Sequence, residues 1–166
     1  MNILLETNLP LTLFRRGKVR DAYDLGDRLL IVSTDRISAF DVVLPCGIPD
    51  KGKVLNQLSA FWFKKTRHII SNHFSEVVTG DVIARARSPK QSQMERKSSP
   101  TIGTNLVGRS MIVFKAERIS VECIVRGYLA GSAWAEYKQT GKVGDIHLPS
   151  NMRESEEFPQ PLFTPT

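Results

Sequence analysis

Gly17 to Asp35 reads "GKVRDAYDLGDRLLIVSTD", and it has the form of a β-hairpin. Val19, Ala22 and Tyr23 lead to Gly26-Asp27, a two-residue turn, and "LLIVS" returns as a strongly apolar strand. "RISAFDVVLPCGIP", Arg36 to Pro49, reads as an extended, turn-rich path broken by Pro45, Gly47 and Pro49. From Lys53 the period changes. Val54, Leu55, Leu58, Phe61 and Trp62 form the stripe of an amphipathic helix running to about Ile70, and that stripe is expected to face the core. "SEVVTGDVIAR" offers a further strand, "SMIVFKAERISVECIVRGY" two more, and the runs "MIVF" and "CIV" suggest cover on both faces. "GSAWAEYKQTG" is helical, with Ser132 as N-cap and Gly141 as the stop. The proline-rich tail "LPSNMRESEEFPQPLFTPT" reads as irregular. Two strands, a helix, three strands and a helix make an α+β pattern on a mainly antiparallel sheet.

The chain has 166 residues, 41% apolar and 24% charged, which fits a globular protein with a real core and excludes disordered and fibrous classes. No apolar run reaches the roughly 20 residues of a membrane span. "MNILLETNLP" lacks a signal-peptide pattern, so a cytoplasmic protein is the expectation. Cys46 and Cys123 cannot make a disulfide framework or a four-ligand zinc site, and Cys123, inside "VECIV", reads as a small buried hydrophobe. The +6 charge fits an anionic partner, either nucleic acid or a phosphorylated small molecule. Arg85, Arg87, Lys90, Arg96 and Lys97 lie in a Ser-, Pro- and Gln-rich connection without interleaved aromatics, which disfavours nucleic acid.

Four places carry candidate chemistry. Gly17, Lys18 and Arg20 put two cations beside a flexible glycine, suited to a polyphosphate or to a plain charged strand. Asp35, Arg36, Ser38 and Asp41 crowd a loop directly after a buried strand, where function or an Asp-capped turn are both served. Lys115 emerges from an otherwise apolar strand and must reach water, a carboxylate or a ligand. Arg126 precedes a helix start at Ser132, whose free backbone N–H groups and dipole complement an anion; an ordinary turn fits equally.

Taken in order, "GKVRDAYDLGDRLLIVSTDRISAFDVVLP", "GIPDKGKVLNQLSAFWF", "ECIVRGYLAGSAWAEYKQTG" and "PLFTPT" closely resemble the phosphoribosylaminoimidazole-succinocarboxamide synthase (SAICAR synthetase) family. The resemblance covers about nine-tenths of the chain, from Gly17 to the last residue. It implies an ATP-dependent ligase of purine synthesis that joins carboxyaminoimidazole ribonucleotide and L-aspartate, with Mg2+, through an acyl phosphate. It implies an N-terminal lobe like the small lobe of protein kinases over residues 1–118, and the beginning of a second α/β domain over 119–166. Gly17, Lys18, Arg20 and Lys115 would then bind ATP, with Glu122 in the segment that reads adenine. Asp35, Arg36, Ser38 and Asp41 would face the substrates, and Arg126 and Ser132 would grip a ribonucleotide 5′-phosphate. Neither nucleic acid nor a membrane is an implied partner.

The sequence departs from the family pattern twice. Phe114 stands where a cation often precedes the Lys115 equivalent. The chain also stops at "PLFTPT", where the family continues for roughly as long again, and the family's magnesium carboxylates are expected in that further part. A non-catalytic nucleotide-binding fragment is the alternative reading.

Overall fold

The computed structural model describes residues 3–79 and 104–165; the part of the expected strand "SEVVTGDVIAR" beyond Thr79 and the basic connection lie outside them. The chain divides into two compact units, Met1–Ala116 and Glu117–Thr166. In chain order the first holds β1 (Leu13–Arg16), β2 (Arg20–Asp24), β3 (Arg28–Ser33), β4 (Arg36–Ala39), β5 (Val42–Gly47), α1 (Lys51–Lys65), β6 (Phe74–Val77), a 3-10 turn at Thr104–Leu106 and β7 (Ser110–Phe114).

Five of these strands form one antiparallel sheet in the order β1-β2-β3-β7-β6. The β2–β3 hairpin turns at Gly26-Asp27 as the sequence predicts. Leu25 N–H donates to Arg28 O at 3.0 Å, and Gly26 takes the left-handed φ of 92° that a glycine accepts without strain. Alternation then sorts the side chains. Tyr23, Leu30, Val32 and Ile112 share one core cluster with Val78 and Leu106, closed over by Leu4, Leu9 and Leu11. Phe74, Met111 and Val113 share the other with Ala60 and Phe63 of α1. Both faces of β3 and β7 are therefore covered, in line with the runs "LLIVS" and "MIVF". The short strand β1, over "LFRR", has no apolar alternation to announce it, and its four residues are exposed.

Helix α1 starts near the expected place but ends at Lys65, short of the expected Ile70, and it presents a different face. Gly52, Asn56 and Ala60 are buried, whereas Val54, Leu58, Phe61 and Trp62 are at least half exposed. Close approach is the reason. A Cβ on Gly52 would sit 2.2 Å from Ser33 O, and Asn56 Nδ2 donates to the carbonyls of Gly108 and Ser110 at 3.0 and 3.2 Å. Small residues let the helix axis come down onto the sheet; the bulky stripe would hold it off.

The second unit holds β8 (Cys123–Tyr128), α2 (Ser132–Thr140), β9 (Lys142–Val143), β10 (Ile146–His147) and β11 (Glu157–Pro165). The tail expected to be irregular contains the nine-residue strand β11, antiparallel to β8. Its register shifts between Glu157 and Leu162, the span holding Pro159 and Pro161, so the ladder skips residues that cannot donate. Among the described residues nothing covers both faces of "CIV": Cys123 is exposed, not the buried hydrophobe expected, and Val125 is exposed too. The core of this unit is Leu129, Ala133, Val143 and Phe158, with Trp134 and Tyr137 packed against it. Helix α2 stops at Gly141, whose φ is 70° and whose N–H donates to Tyr137 O at 2.8 Å.

Candidate functional site

Gly17 and Lys18 lie in the turn between β1 and β2, ahead of the strand in which sequence reasoning placed them. Gly17 N–H closes the turn on Arg20 O at 2.7 Å. Beneath it sits Arg36, its side chain only 10% exposed. Arg36 Nε donates to Lys18 O at 2.9 Å, Nη1 to Leu5 O at 2.5 Å, and Nη2 to Gly17 O at 2.9 Å and Asp21 Oδ1 at 2.7 Å. The side chains of Lys18 and Arg20 remain on the exposed side. Lys18 Nζ pairs with Asp41, at the tip of the β4–β5 hairpin, where Phe40 and Asp41 hold left-handed φ values of 47° and 66°. Gly17, Lys18, Arg36 and Asp41 thus gather at one corner of the first unit.

Asp35 and Arg36 do not present their side chains to solvent, contrary to the picture of a whole loop facing substrate. Asp35 Oδ2 accepts from Leu4 N–H at 2.8 Å, and Oδ1 accepts from Gly52 N–H at 2.9 Å and pairs with Arg109 Nη1 at 2.9 Å. Its carboxylate caps α1, whose own N-cap residue Asp50 makes no side-chain cap. Ser38 and Asp41 are exposed. Arg20 has no carboxylate within 4.0 Å among the described residues.

Lys115 meets a carboxylate: its Nζ lies 2.7 and 2.9 Å from the two oxygens of Asp24. Sequence reasoning missed Asp24. The hairpin register could have found it, since Asp24 pairs with Leu29 and Leu29 with Val113, two residues before Lys115.

In the second unit Arg126 and Ser132 do come together. Arg126 Nε donates to Thr164 Oγ1 at 3.1 Å and Nη2 donates to Ser132 Oγ at 3.0 Å. The N-cap of α2 is Gly131, not Ser132 as the sequence suggested; Ser132 is the first helical residue, and its hydroxyl accepts from the arginine. Ala135 donates to Gly131 O, leaving the amides before it without an intrahelical carbonyl. Thr164, in β11, is the supporting residue the sequence did not mark. Glu122, just before β8, is exposed and unpaired among the described residues.

The buried carboxyls stay ionised. Burial pushes Asp21 up, but hydrogen bonds from Arg36 and Thr7 outweigh it and hold the carboxyl below its usual range. Burial likewise opposes Asp35, and the Leu4 and Gly52 amides with Arg109 bring it down. Hydrogen bonds from Lys115 and Lys18 lower Asp24 and Asp41. Among the described residues no group of three or more His, Cys, Asp or Glu side chains is placed to hold a metal ion. Asp21 and Asp35 already have their oxygens engaged, so these residues do not fit the magnesium implied by resemblance. No described helix is long and apolar enough to cross a membrane.

The SAICAR synthetase family model matches residues 13–166. The phosphoribosylaminoimidazole-succinocarboxamide synthase of Thermodesulfovibrio yellowstonii is 51% identical over 166 residues, covering 99% of this chain and 52% of the relative. That of Geobacter metallireducens is 48% identical with the same coverage. The solved SAICAR synthase of Saccharomyces cerevisiae, complexed with SAICAR, superimposes with a TM-score of 0.82 at 43% identity, over 98% of this chain and 54% of that one. The chain spans about half the length of the relatives it matches. The α+β fold, the family model and relatives near half identity agree: the chain belongs to the SAICAR synthetase family.

Proposed function

We propose that the chain supplies the nucleotide-phosphate and ribonucleotide-phosphate contacts of an ATP-dependent ligase that joins carboxyaminoimidazole ribonucleotide to L-aspartate in purine synthesis. The observation that carries the reading is the Arg126 fork, fixed by Thr164 and Ser132 beside the free amides of α2. A guanidinium held in place next to unpaired N–H groups suits a phosphate dianion. The name of the yeast relative, complexed with SAICAR, agrees with a ribonucleotide ligand. On the first unit Lys18 and Arg20 hold ATP phosphates, and arriving phosphate oxygens compete with Asp41 for Lys18. Lys115, oriented by Asp24, adds a third cation. Glu122 and the segment around it read adenine, and Ser38 and Asp41 face the substrates, while Asp35 and Arg36 support the loop from inside.

The chemistry is activation of the ribonucleotide carboxylate by phosphoryl transfer, then attack of the aspartate amine on the acyl phosphate with release of phosphate. These residues contribute position and charge neutralisation, not a covalent nucleophile. ATP would supply the phosphoryl group. The role assigned to these residues is binding and positioning, without turnover by them alone, and the setting we propose is the cytoplasm.

Calorimetric titration tests this. ATP should bind the chain, and the K18A/R20A pair should weaken it at least tenfold, since a charge-assisted phosphate contact is worth about 1.5–3 kcal/mol. ATP affinity unaffected by that pair would refute the assignment. Product from the purified chain with ATP, aspartate and the ribonucleotide would refute the binding-only expectation.

A further inference from the structure

The Arg36 guanidinium takes up the carbonyls of two successive residues, Gly17 and Lys18, from the inner side of the turn. The next carbonyl, Val19 O, is also held inward, by Thr34 N–H at 3.1 Å and Thr34 Oγ1 at 2.9 Å. All peptide bonds of the described chain are trans. In a trans peptide the C=O and the following N–H point in opposite directions. With Gly17 O and Lys18 O aimed at Arg36, the amides of Lys18 and Val19 must point away from it. Neither amide donates to a protein acceptor among the described residues. Successive outward N–H groups form an anion-binding concavity, and the Lys18 ammonium sits on the same residue.

We propose that Arg36 is a positioning residue: from behind the turn it fixes the Lys18 and Val19 amides outward, as the phosphate-binding element of the nucleotide site. Arg36 itself is too buried to touch the ligand. Asp21, held ionised, pins the guanidinium at 2.7 Å, and Lys51 Nζ holds the Arg36 carbonyl at 3.0 Å, so the fork enters the turn from a braced backbone. Lysine cannot replace it, because one ammonium cannot serve three carbonyls and a carboxylate in a planar fork. The inference rests on the reading of this corner as an ATP phosphate site.

The test compares ATP with adenosine by calorimetric titration of the wild-type chain, Arg36→Lys and K18A/R20A. Arg36→Lys should weaken ATP about tenfold and leave adenosine within about twofold, as the lost contacts lie at phosphate. A merely structural role would move both ligands together or neither. If K18A/R20A weakens ATP and Arg36→Lys does not, the Arg36 inference falls and the phosphate site stands; if neither weakens it, both fall. Should Arg36→Lys lose its cooperative melt, NMR of the wild-type chain decides. ATP, and not adenosine, should shift the Lys18 and Val19 amide protons downfield while Arg36 Nε–H stays protected from exchange. Unmoved amides at saturating ATP would overturn the proposal.

Discussion

Gly52→Ala is the sharpest test of how α1 meets the sheet. Helix propensity alone favours alanine over glycine by about 1 kcal/mol inside a helix. The structure predicts the opposite sign. The new Cβ would lie 2.2 Å from Ser33 O, 2.8 Å from Ser33 C and 3.0 Å from Thr34 O, where ordinary contact begins at 3.4 Å. All three atoms are backbone, so the helix start must recede by more than an ångström. Overpacking of this kind costs roughly 1–3 kcal/mol. The retreat also stretches the 2.9 Å bond from Gly52 N–H to Asp35, and a hydrogen bond to a buried carboxylate is worth about 1.5–3 kcal/mol. Against the propensity gain, the net loss is about 1.5–5 kcal/mol. Urea unfolding followed by far-UV circular dichroism reads it as a lower midpoint at unchanged slope. Gly127→Ala, where a Cβ meets nothing within 4 Å, is the control and should stay within about 0.5 kcal/mol of wild type. A Gly52→Ala midpoint equal to or above wild type would refute the close approach.

Three further outcomes rest on the same geometry. On α1, Leu58→Ser on the outward face should cost under about 1 kcal/mol, while Ala60→Leu on the buried face should cost about 1–3 kcal/mol; urea midpoints in the reverse order would put the apolar stripe back against the sheet. Asp21 and Asp35 are both lowered, so they bind fewer protons folded than unfolded in acid. Their contribution is complete above the ordinary carboxylate value of about 4 and is lost as pH falls through their lower folded values. Asp35→Asn should flatten that acid limb in a pH series of melts, and an unchanged limb would contradict the assignment. Arg126→Lys should keep the melting temperature within a few degrees yet weaken binding of the ribonucleotide about tenfold, because an ammonium cannot bridge Thr164 and Ser132 together; calorimetry with unchanged affinity would remove Arg126 from the site.

The central hairpin was legible because turn chemistry and β-propensity agree over Gly17–Asp35, and β7 because four apolar residues in a row need cover on both faces. The proline-rich tail was not, because proline marks only a missing donor; a strand that shifts register across Pro159 and Pro161 still pairs on either side of them. The candidate site could be drawn from the sequence as a set of residue types, and some of its members could be expected to lie together. Arg126 and Ser132 stand six residues apart at a strand-to-helix junction, and local geometry alone brings them to 3.0 Å. Lys18 and Asp41 meet only through the tertiary fold, 23 positions apart. Asp35 and Arg36 were read as a functional loop or an Asp-capped turn; their side chains are buried, and a charged pair in a loop gives no sign that Arg109, far along the chain, will pair with Asp35 there.

Helix α1 shows where periodicity stops informing. The spacing of Val54, Leu58, Phe61 and Trp62 states that one face is apolar; it does not state which surface covers that face. Two orientations of the helix compete for the sheet, a bulky one and a small one. The small one wins because polar groups decide it. Asn56 satisfies two carbonyls at the β7 end, Gly52 gives its amide to Asp35, and both bonds demand that the axis lie close. Turning the helix to bury Phe61 and Trp62 would strip those bonds and leave Asp35 and Arg109 buried with fewer partners. Breaking such a buried ionic network costs about 3–5 kcal/mol; Phe61 and Trp62 are each already about half buried, so covering the rest of both gains only about 1.5–3 kcal/mol together. The same network that rotates α1 also holds Asp35 against the N-terminal segment and seats Arg36 under the Gly17-Lys18 turn. The orientation of the helix and the shape of the proposed phosphate turn are therefore one structural choice, made by the polar residues between them.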